Sequence, residues 1–516
     1  MPLPVHRRKG SRAVSVPVKR AETLSSQEAA AEGASLQPAA EVTNSPLARA
    51  GSLSRAHLPV TLGTIMALAL PTIIDQLFSA GVGLTDTIVA GNTGPNADAH
   101  AAASAAVGTM TYLQWFASLM AAALGVGATA IVARSIGAHR PRLATRVAGT
   151  VCSAALLVGL GVALLFYLLP HPIAWLFGLR GLAATYGIQY LRIMSLTVCF
   201  QTAGQIGMAC LRGAGDTVRP MVVTIAVFLI NLVASPTLAF GWFGFPAMGI
   251  RGNAVGTLLS FTAAGIVTFG FLVTAGSGLR LRRRHFRILP HLLTRVLRIG
   301  IPSWAEGMLL WSGQVLIVML VISPTDLSIG VSGATMAAHN AVLRLESVAF
   351  LPGFGFGIAC SALVGQYLGA KKFADAKRAA NLCGLLAFAT MTLTALPMVI
   401  FPRMLLGWMV DSDVVVRTGM VPLMLAGLAQ PGFAIAIARS AALKGAGETV
   451  QPMLATITGM VLRVILVFGL QYEFGRHGHA GWGLTAVWTC IFIDLNYRAV
   501  YNTVVYRLGK WQLKKV

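Results

Sequence analysis

One eleven-residue segment occurs twice in this chain. Leu211–Met221 reads LRGAGDTVRPM and Leu443–Met453 reads LKGAGETVQPM, eight of eleven positions identical at an offset of 232 in 516 residues. GVGATAIVARSIGAHRPRLATR, from Gly125, falls at the same offset on GIACSALVGQYLGAKKFADAKR, from Gly357, so that Gly137 matches Gly369 and Arg146 matches Arg378. ALPTIID, ending at Asp75, falls on GIPSWAE, ending at Glu306, at an offset of 231. Three matches in one order at spacings that agree within one residue indicate two homologous halves, and the fold must be two copies of one unit.

Each unit is built for lipid. Hydrophobic residues make up 56 % and charged residues 11 %, whereas a soluble domain carries about a quarter charged residues. Mean hydropathy is +0.72. Apolar runs of about twenty residues recur, each long enough to cross a hydrocarbon core of about 30 Å. The pattern predicts an all-α membrane protein of twelve helices, near 60–90, 100–134, 145–169, 184–211, 218–241, 251–276, 299–322, 330–366, 379–402, 416–441, 453–472 and 479–506. The expected organisation is a disordered basic tail (1–58), a six-helix lobe (59–276), a basic linker (277–298), a second six-helix lobe (299–507) and a short basic tail (508–516).

The net charge of +23 does not point to nucleic acid, because it sits in the tail and in alternate loops. Residues 276–300 hold seven Arg and no acid, while GNTGPNAD at 91–98 and SPTDLS at 323–328 lack Lys and Arg. That asymmetry predicts two cytoplasmic termini in a multi-pass protein of the plasma (bacterial inner) membrane. Both GAG[DE]T loops then fall on the cytoplasmic side with six helices between them. An even number makes the repeat parallel, with a central cleft between the lobes. The six cysteines lie in apolar segments without CxxC spacing and read as packing residues.

The paired loops read as structural. Gly213 and Gly215 permit a tight reversal, Asp216 or Thr217 can cap the next helix, and Gly445, Gly447 and Glu448 repeat the arrangement. A charged side chain at mid-bilayer costs at least about 2.5 kcal/mol, so intramembrane acids mark function by default. Helix one carries Asp75 and Asp86, eleven residues apart and on one face. Pro71 lies one turn before Asp75, and helix seven repeats this with Pro302 and Glu306, so both helices have a hinge. Asp75 and Glu306 could equally pair with neighbours near a helix end. Asn231 and Ser235, one turn apart on helix five, can face helix one; Gln314 and Asn340 are further candidate substrate contacts. Arg439 and Arg463 could neutralise Glu306 or Glu346, and Asp494 and Arg498 stand at i,i+4. HExxH, GxSxG and P-loop patterns are absent, which argues against an enzyme and leaves an ion gradient to drive uphill movement.

Together LPTIIDQLFSAGVGLTDTIVAG, LRGAGDTVRPM, RIGIPSWAEGMLL and AAHNAVLRLESVAFLPGFGFGIACSALVGQYLGAKK resemble the multidrug and toxic compound extrusion transporters across about residues 60–505. The resemblance implies a twelve-helix, two-lobe fold and efflux coupled to H⁺ or Na⁺. The helix-one aspartate of its bacterial and archaeal branch matches Asp86, and its kinking proline matches Pro71. The branch's helix-five Asn–Asp pair falls on Asn231 and Ser235, so the second carboxylate is missing here. That departure favours H⁺ over Na⁺. The expectation is a monomeric antiporter, without cofactor or metal, that exports amphiphilic cationic organic compounds, with Asp86, Asn231, Asp75 and Glu306 coupling ions and Asp86, Ser235, Gln314 and Asn340 meeting substrate. The alternatives are a flippase for a lipid-linked precursor, an integral membrane enzyme and a major-facilitator-type carrier.

Overall fold

The computed structural model describes residues 59–94, 96–274, 279–317, 333–476 and 483–514. The tail 1–58 and the loop 323–328 lie outside those residues. Twelve long helices follow: α1 (Leu62–Gly91), α2 (Ala97–Gly137), α3 (Pro141–Leu168), α4 (Gly181–Gly213), α5 (Val218–Phe240), α6 (Ile250–Val273), α7 (Pro290–Ile317), α8 (Ala334–Gly369), α9 (Phe373–Ile400), α10 (Asp413–Gly445), α11 (Val450–Arg476) and α12 (Gly483–Arg507). Ten of these pass for membrane spans on length and hydropathy alone.

The repeat is legible in the backbone residue by residue. α3 and α9, like α4 and α10, begin and end 232 residues apart. Their connections reverse in the same way. The Asp216 amide donates to the Leu211 carbonyl at 3.0 Å and the Gly215 amide to Arg212 at 3.0 Å, around a Gly215 φ of 90°. Glu448, Leu443, Gly447 and Lys444 repeat this at 2.9 Å for both bonds, with Gly447 at 81°. Each is a Schellman closure of the preceding helix, which needs a residue tolerant of positive φ. Asp216 then caps α5 by accepting from the Arg219 amide at 3.2 Å, and Glu448 caps α11 through the Gln451 amide at 3.3 Å.

The connections α2–α3, α4–α5, α6–α7, α8–α9 and α10–α11, with their flanking helix turns, carry most of the described Lys and Arg side chains and define a basic face. The lobes meet in its half of the molecule. A Cβ on Gly137 would lie 1.9 Å from the Gln366 carbonyl oxygen, and one on Gly369 would lie 2.2 Å from that of Arg134. Residues 134 and 366 are repeat equivalents, as are 137 and 369, so the contact is reciprocal about a pseudo-two-fold axis. Without a hydrophobic effect between helices in lipid, such backbone approach is the main source of attraction, and only small residues permit it.

The first helix of each lobe also crosses into the other. Ile65, Leu68 and Ala69 of α1 share a core with α8, α9 and α10. Leu292, Val296 and Ile299 of α7 share one with α2, α3 and α4. In the opposite half, one core gathers α8 to α12 and another α2, α3, α4 and α6 with Ala90 of α1, so each stays within a lobe. Among the described residues, the cores that the two lobes share therefore lie near the basic face.

Two segments read as tails or linkers are docked. Helix α7 starts at Pro290, not near 299: the proline fits a first helical turn, and the apolar spacing of Leu292, Val296 and Ile299 carries the helix into the neighbouring core. The preceding turn, Arg283–Phe286, is held by Ser153 Oγ donating to the Phe286 carbonyl at 2.7 Å. At the other end, Trp511 is buried, stacks on Tyr506 at 5.1 Å and donates to the Tyr506 carbonyl at 2.9 Å.

Candidate functional site

Asp86 sits about one and a half turns before the end of α1, buried among neutral groups. Its Oδ1 accepts from Asn231 Nδ2 on α5 at 3.1 Å, and Thr257 Oγ1 on α6 lies 3.0 Å from each carboxylate oxygen. Asn231 Nδ2 also reaches Ser235 Oγ at 3.1 Å, and Ser235 Oγ donates to the Asn253 carbonyl at 3.4 Å. Asn253 Nδ2 in turn donates to the Asp86 carbonyl at 3.1 Å. Tyr190 of α4 is buried beside Thr257 and Asp86. The helices can close around these groups because Gly256 stands where a Cβ would lie 2.5 Å from Ser235 Oγ.

Among the described residues no cationic side chain pairs with Asp86. Asn231 Oδ1 and Asn253 Oδ1 are buried without a donor. A buried carboxylate between neutral donors and two unused acceptors can take a proton and offer the new O–H to one of them. Asn253, Thr257 and Tyr190 were not singled out from the sequence. The signal available was the i,i+4 spacing of Asn253 and Thr257 in an apolar helix, the same spacing as Asn231 and Ser235.

Asp75, on the same helix, has charged company. Arg212 Nη2 donates to its Oδ2 at 2.6 Å, and Thr224 Oγ1 to its Oδ1. Glu306 is bound in the equivalent way by Lys444 Nζ at 2.9 Å. The partner in each lobe is the basic residue of the L-[RK]-G-A-G segment, so the duplicated loop and the duplicated acid are two ends of one ion pair. Pro71 and Pro302 lie inside continuous helices one turn earlier. Beside Pro71, Thr72 Oγ1 donates to the Gly355 carbonyl of the other lobe at 2.9 Å.

The remaining candidates separate. Asn340 is exposed beside a buried His339, and the Gln314 side chain lies outside the described residues. Arg439 does not neutralise an acid: it donates to Asn381 Oδ1 at 2.7 Å and stacks over Tyr506 at 4.2 Å. Arg463 pairs with Asp494, which Arg498 holds through two bonds of 2.7 Å. Glu346 instead accepts from Gln430 Nε2 at 3.3 Å.

Comparison with known proteins accounts for the architecture. The MatE family model matches residues 71–237 and 302–468, two copies offset by the same 231 residues as Asp75 and Glu306. The chain belongs to the MatE family. A MatE relative, the probable multidrug resistance protein NorM of Thermotoga maritima, is 26 % identical over 475 residues, covering 90 % of this chain and 96 % of that protein. Multidrug resistance protein MdtK of Edwardsiella ictaluri is 27 % identical over 390 residues, covering 75 % and 82 %. Among solved structures, the outward-facing conformation of a multidrug resistance MATE family transporter superposes with a TM-score of 0.77 at 21 % identity, covering 92 % of this chain and all of that one. A Pyrococcus furiosus transporter of the same superfamily gives the same TM-score, identity and coverage of this chain. These likenesses establish the two-lobe fold of a membrane transporter.

Proposed function

We propose that this MatE protein is a secondary antiporter that exports amphiphilic, cationic organic compounds in exchange for H⁺, with Asp86 as the exchange site. The carrying observation is a buried carboxylate whose partners on α5 and α6 are all neutral, so its charge is free to be cancelled by either traveller. Protonation of Asp86 from outside neutralises the acid and discharges a bound organic cation. Loss of that proton inside restores the charge for the next one. One proton moving down 100 mV supplies about 2.3 kcal/mol for the uphill leg. The names of the relatives, which are multidrug resistance proteins, support the substrate class.

Asn231, Ser235, Asn253 and Thr257 position the carboxylate. Asp75 and Glu306, each held by a cation, act as locks between helix and loop rather than as exchange sites. The basic face is cytoplasmic by the positive-inside rule, in a bacterial inner membrane, and the chain works as a monomer. Na⁺ is the second reading, favoured by the unused amide oxygens of Asn231 and Asn253, which suit a hard cation.

The test is transport of a panel of organic cations in proteoliposomes under separate H⁺ and Na⁺ gradients, for the native protein and Asp86→Asn. Native exchange driven by the pH gradient, reduced to the level of empty vesicles by Asp86→Asn, is the expected result. Wild-type rates in the variant would overturn the assignment, and exchange driven only by Na⁺ would select the second reading.

A further inference from the structure

The duplication places different chemistry at equivalent positions of the two lobes. At the offset that aligns Asp75 with Glu306, Asp86 falls on Ile317; at 232, Asn231 falls on Arg463 and Gln114 on Glu346. In the N-terminal lobe Gln114 bonds to Gln201 of α4 at 3.4 Å, and in the C-terminal lobe Glu346 bonds to Gln430 of α10 at 3.3 Å. The acid has moved from the lobe's first helix to its second, and an arginine stands where the amide stood.

The charge balance around that arginine is incomplete without Glu346. Asp494 is held by both Arg463 and Arg498, so this three-residue cluster carries one positive charge in excess. Glu346 is only 6 % exposed and lies within electrostatic reach of Arg463. A carboxylate serving only as counter-ion would bond the guanidinium directly. Glu346 bonds the neutral Gln430, while Arg463 Nε is buried without an acceptor and Gln430 Oε1 is buried without a donor. An unused acceptor thus sits on the residue bonded to this carboxyl, and an unused donor on the cation within its electrostatic reach. Ionised, Glu346 can satisfy Arg463 Nε; protonated, its O–H can satisfy Gln430 Oε1.

The surroundings restrict what the site can take. Among the described residues, Arg463 on α11 is the charged group within reach of it; Asp494, Arg498 and Cys490 of α12 stand around Arg463, and His339 lies two turns away on its own helix. At that level α9 contributes Thr394, bonded to the Ala349 carbonyl at 3.3 Å, and α10 contributes Gln430. α1 and α2 meet α8 further along, around Gly355 and Gly369. A guanidinium within electrostatic reach of the acid repels an inorganic cation. We propose that Glu346 is a second proton-exchange site, in the C-terminal lobe, taking up and releasing a proton between Gln430 and Arg463. Its place in transport rests on the reading of the chain as a proton-coupled antiporter, but its protonation is measurable without transport.

The experiment is infrared difference spectroscopy of the purified full-length protein in lipid nanodiscs, titrated with acid and base, in the protonated-carboxyl stretch. The native protein, Asp86→Asn, Glu346→Gln and the double variant are compared. Two buried carboxyl bands are expected in the native protein, one lost in each single variant and both in the double. Gln430→Leu keeps Glu346 but removes its acceptor, and is expected to move the Glu346 band to higher frequency. If Glu346→Gln retains every native band, or Gln430→Leu moves none, the proposal fails. A failure of the Asp86 reading registers separately, as a spectrum unchanged in Asp86→Asn.

Discussion

Asp75 and Asp86 share one face of one helix, eleven residues apart, and meet opposite surroundings. Arg212 and Thr224 fix the charge of Asp75, whereas Asn231 and Thr257 solvate Asp86 without cancelling it. Breaking an ion pair as buried as Asp75–Arg212 costs about 3–5 kcal/mol, so Asp75→Asn is expected to lower the melting temperature clearly. Asp86→Asn loses no countercharge and should leave melting close to native. Thr257 is the residue that separates positioning from packing. Thr257→Val keeps the shape but removes the hydroxyl from both carboxylate oxygens, a bond to a charged group worth about 1.5–3 kcal/mol. Exchange is expected to slow by about ten-fold or more, with Thr257→Ser within about two-fold of native in the same proteoliposome assay. Asp75 and Asp86 stand out in the sequence because acids in an apolar helix are conspicuous. Thr257 and Asn253 do not, since neutral polar residues are common in membrane helices as packing and backbone-bonding groups. The Asp75–Arg212 pair spans 137 residues, and no local spacing encodes it.

At the scale of elements, the repeat made the helix boundaries readable to within a few residues, because each half tests the other. The exception was α7, whose first turns carry Arg295 and Arg298 and read as linker until their apolar side is seen packed against α2 and α3. The glycines of the seam were visible as paired motifs, but what they approach was not. Gly215 combines a φ of 90° with a Cβ position 2.8 Å from Gln366 Nε2, whose own bond runs to the Gly213 carbonyl at 3.2 Å. Gly215→Ala is therefore expected to cost about 1–2 kcal/mol in backbone strain alone and to displace Gln366 as well. Gly83, in α1, has nothing within 4 Å of its Cβ position. Gly83→Ala is expected to be neutral or slightly stabilising, since alanine favours the helix by about 1 kcal/mol. Thermal melting of the two variants in one detergent checks both signs. A Gly215→Ala protein as stable as the native one would remove the closure from the account of the seam.

For the whole molecule, two cores shared between lobes and three confined to one lobe, among the described residues, put the contact between lobes near the basic face. The sequence announced the pseudo-two-fold through its repeat, but not the crossing of α1 and α7 into the opposite lobe, which depends on contacts far apart in the chain. Nor did it announce the C-terminal segment that breaks the symmetry. Lys514 accepts at its carbonyl from Arg134 Nη1 of the N-terminal lobe at 2.7 Å, and its Nζ pairs with Glu448 of the C-terminal lobe at 2.5 Å. Buried Trp511 anchors that bridge against Tyr506. Alternating access requires the seam at the basic face to open, and the bridge must then release one lobe. Partly exposed ion pairs contribute little each, about 0–1 kcal/mol, so the aromatic anchor should dominate the bridge. Trp511→Ala is expected to favour the state open at the basic face, and Lys514→Gln to have a smaller effect in the same direction. Spin labels at Arg146 and Arg378, exposed repeat equivalents on α3 and α9, report the opening as a longer inter-lobe distance. A longer-distance population that grows in Trp511→Ala is the expected result. Identical distance distributions in the native protein and Trp511→Ala would show that the segment rests on the seam without holding it.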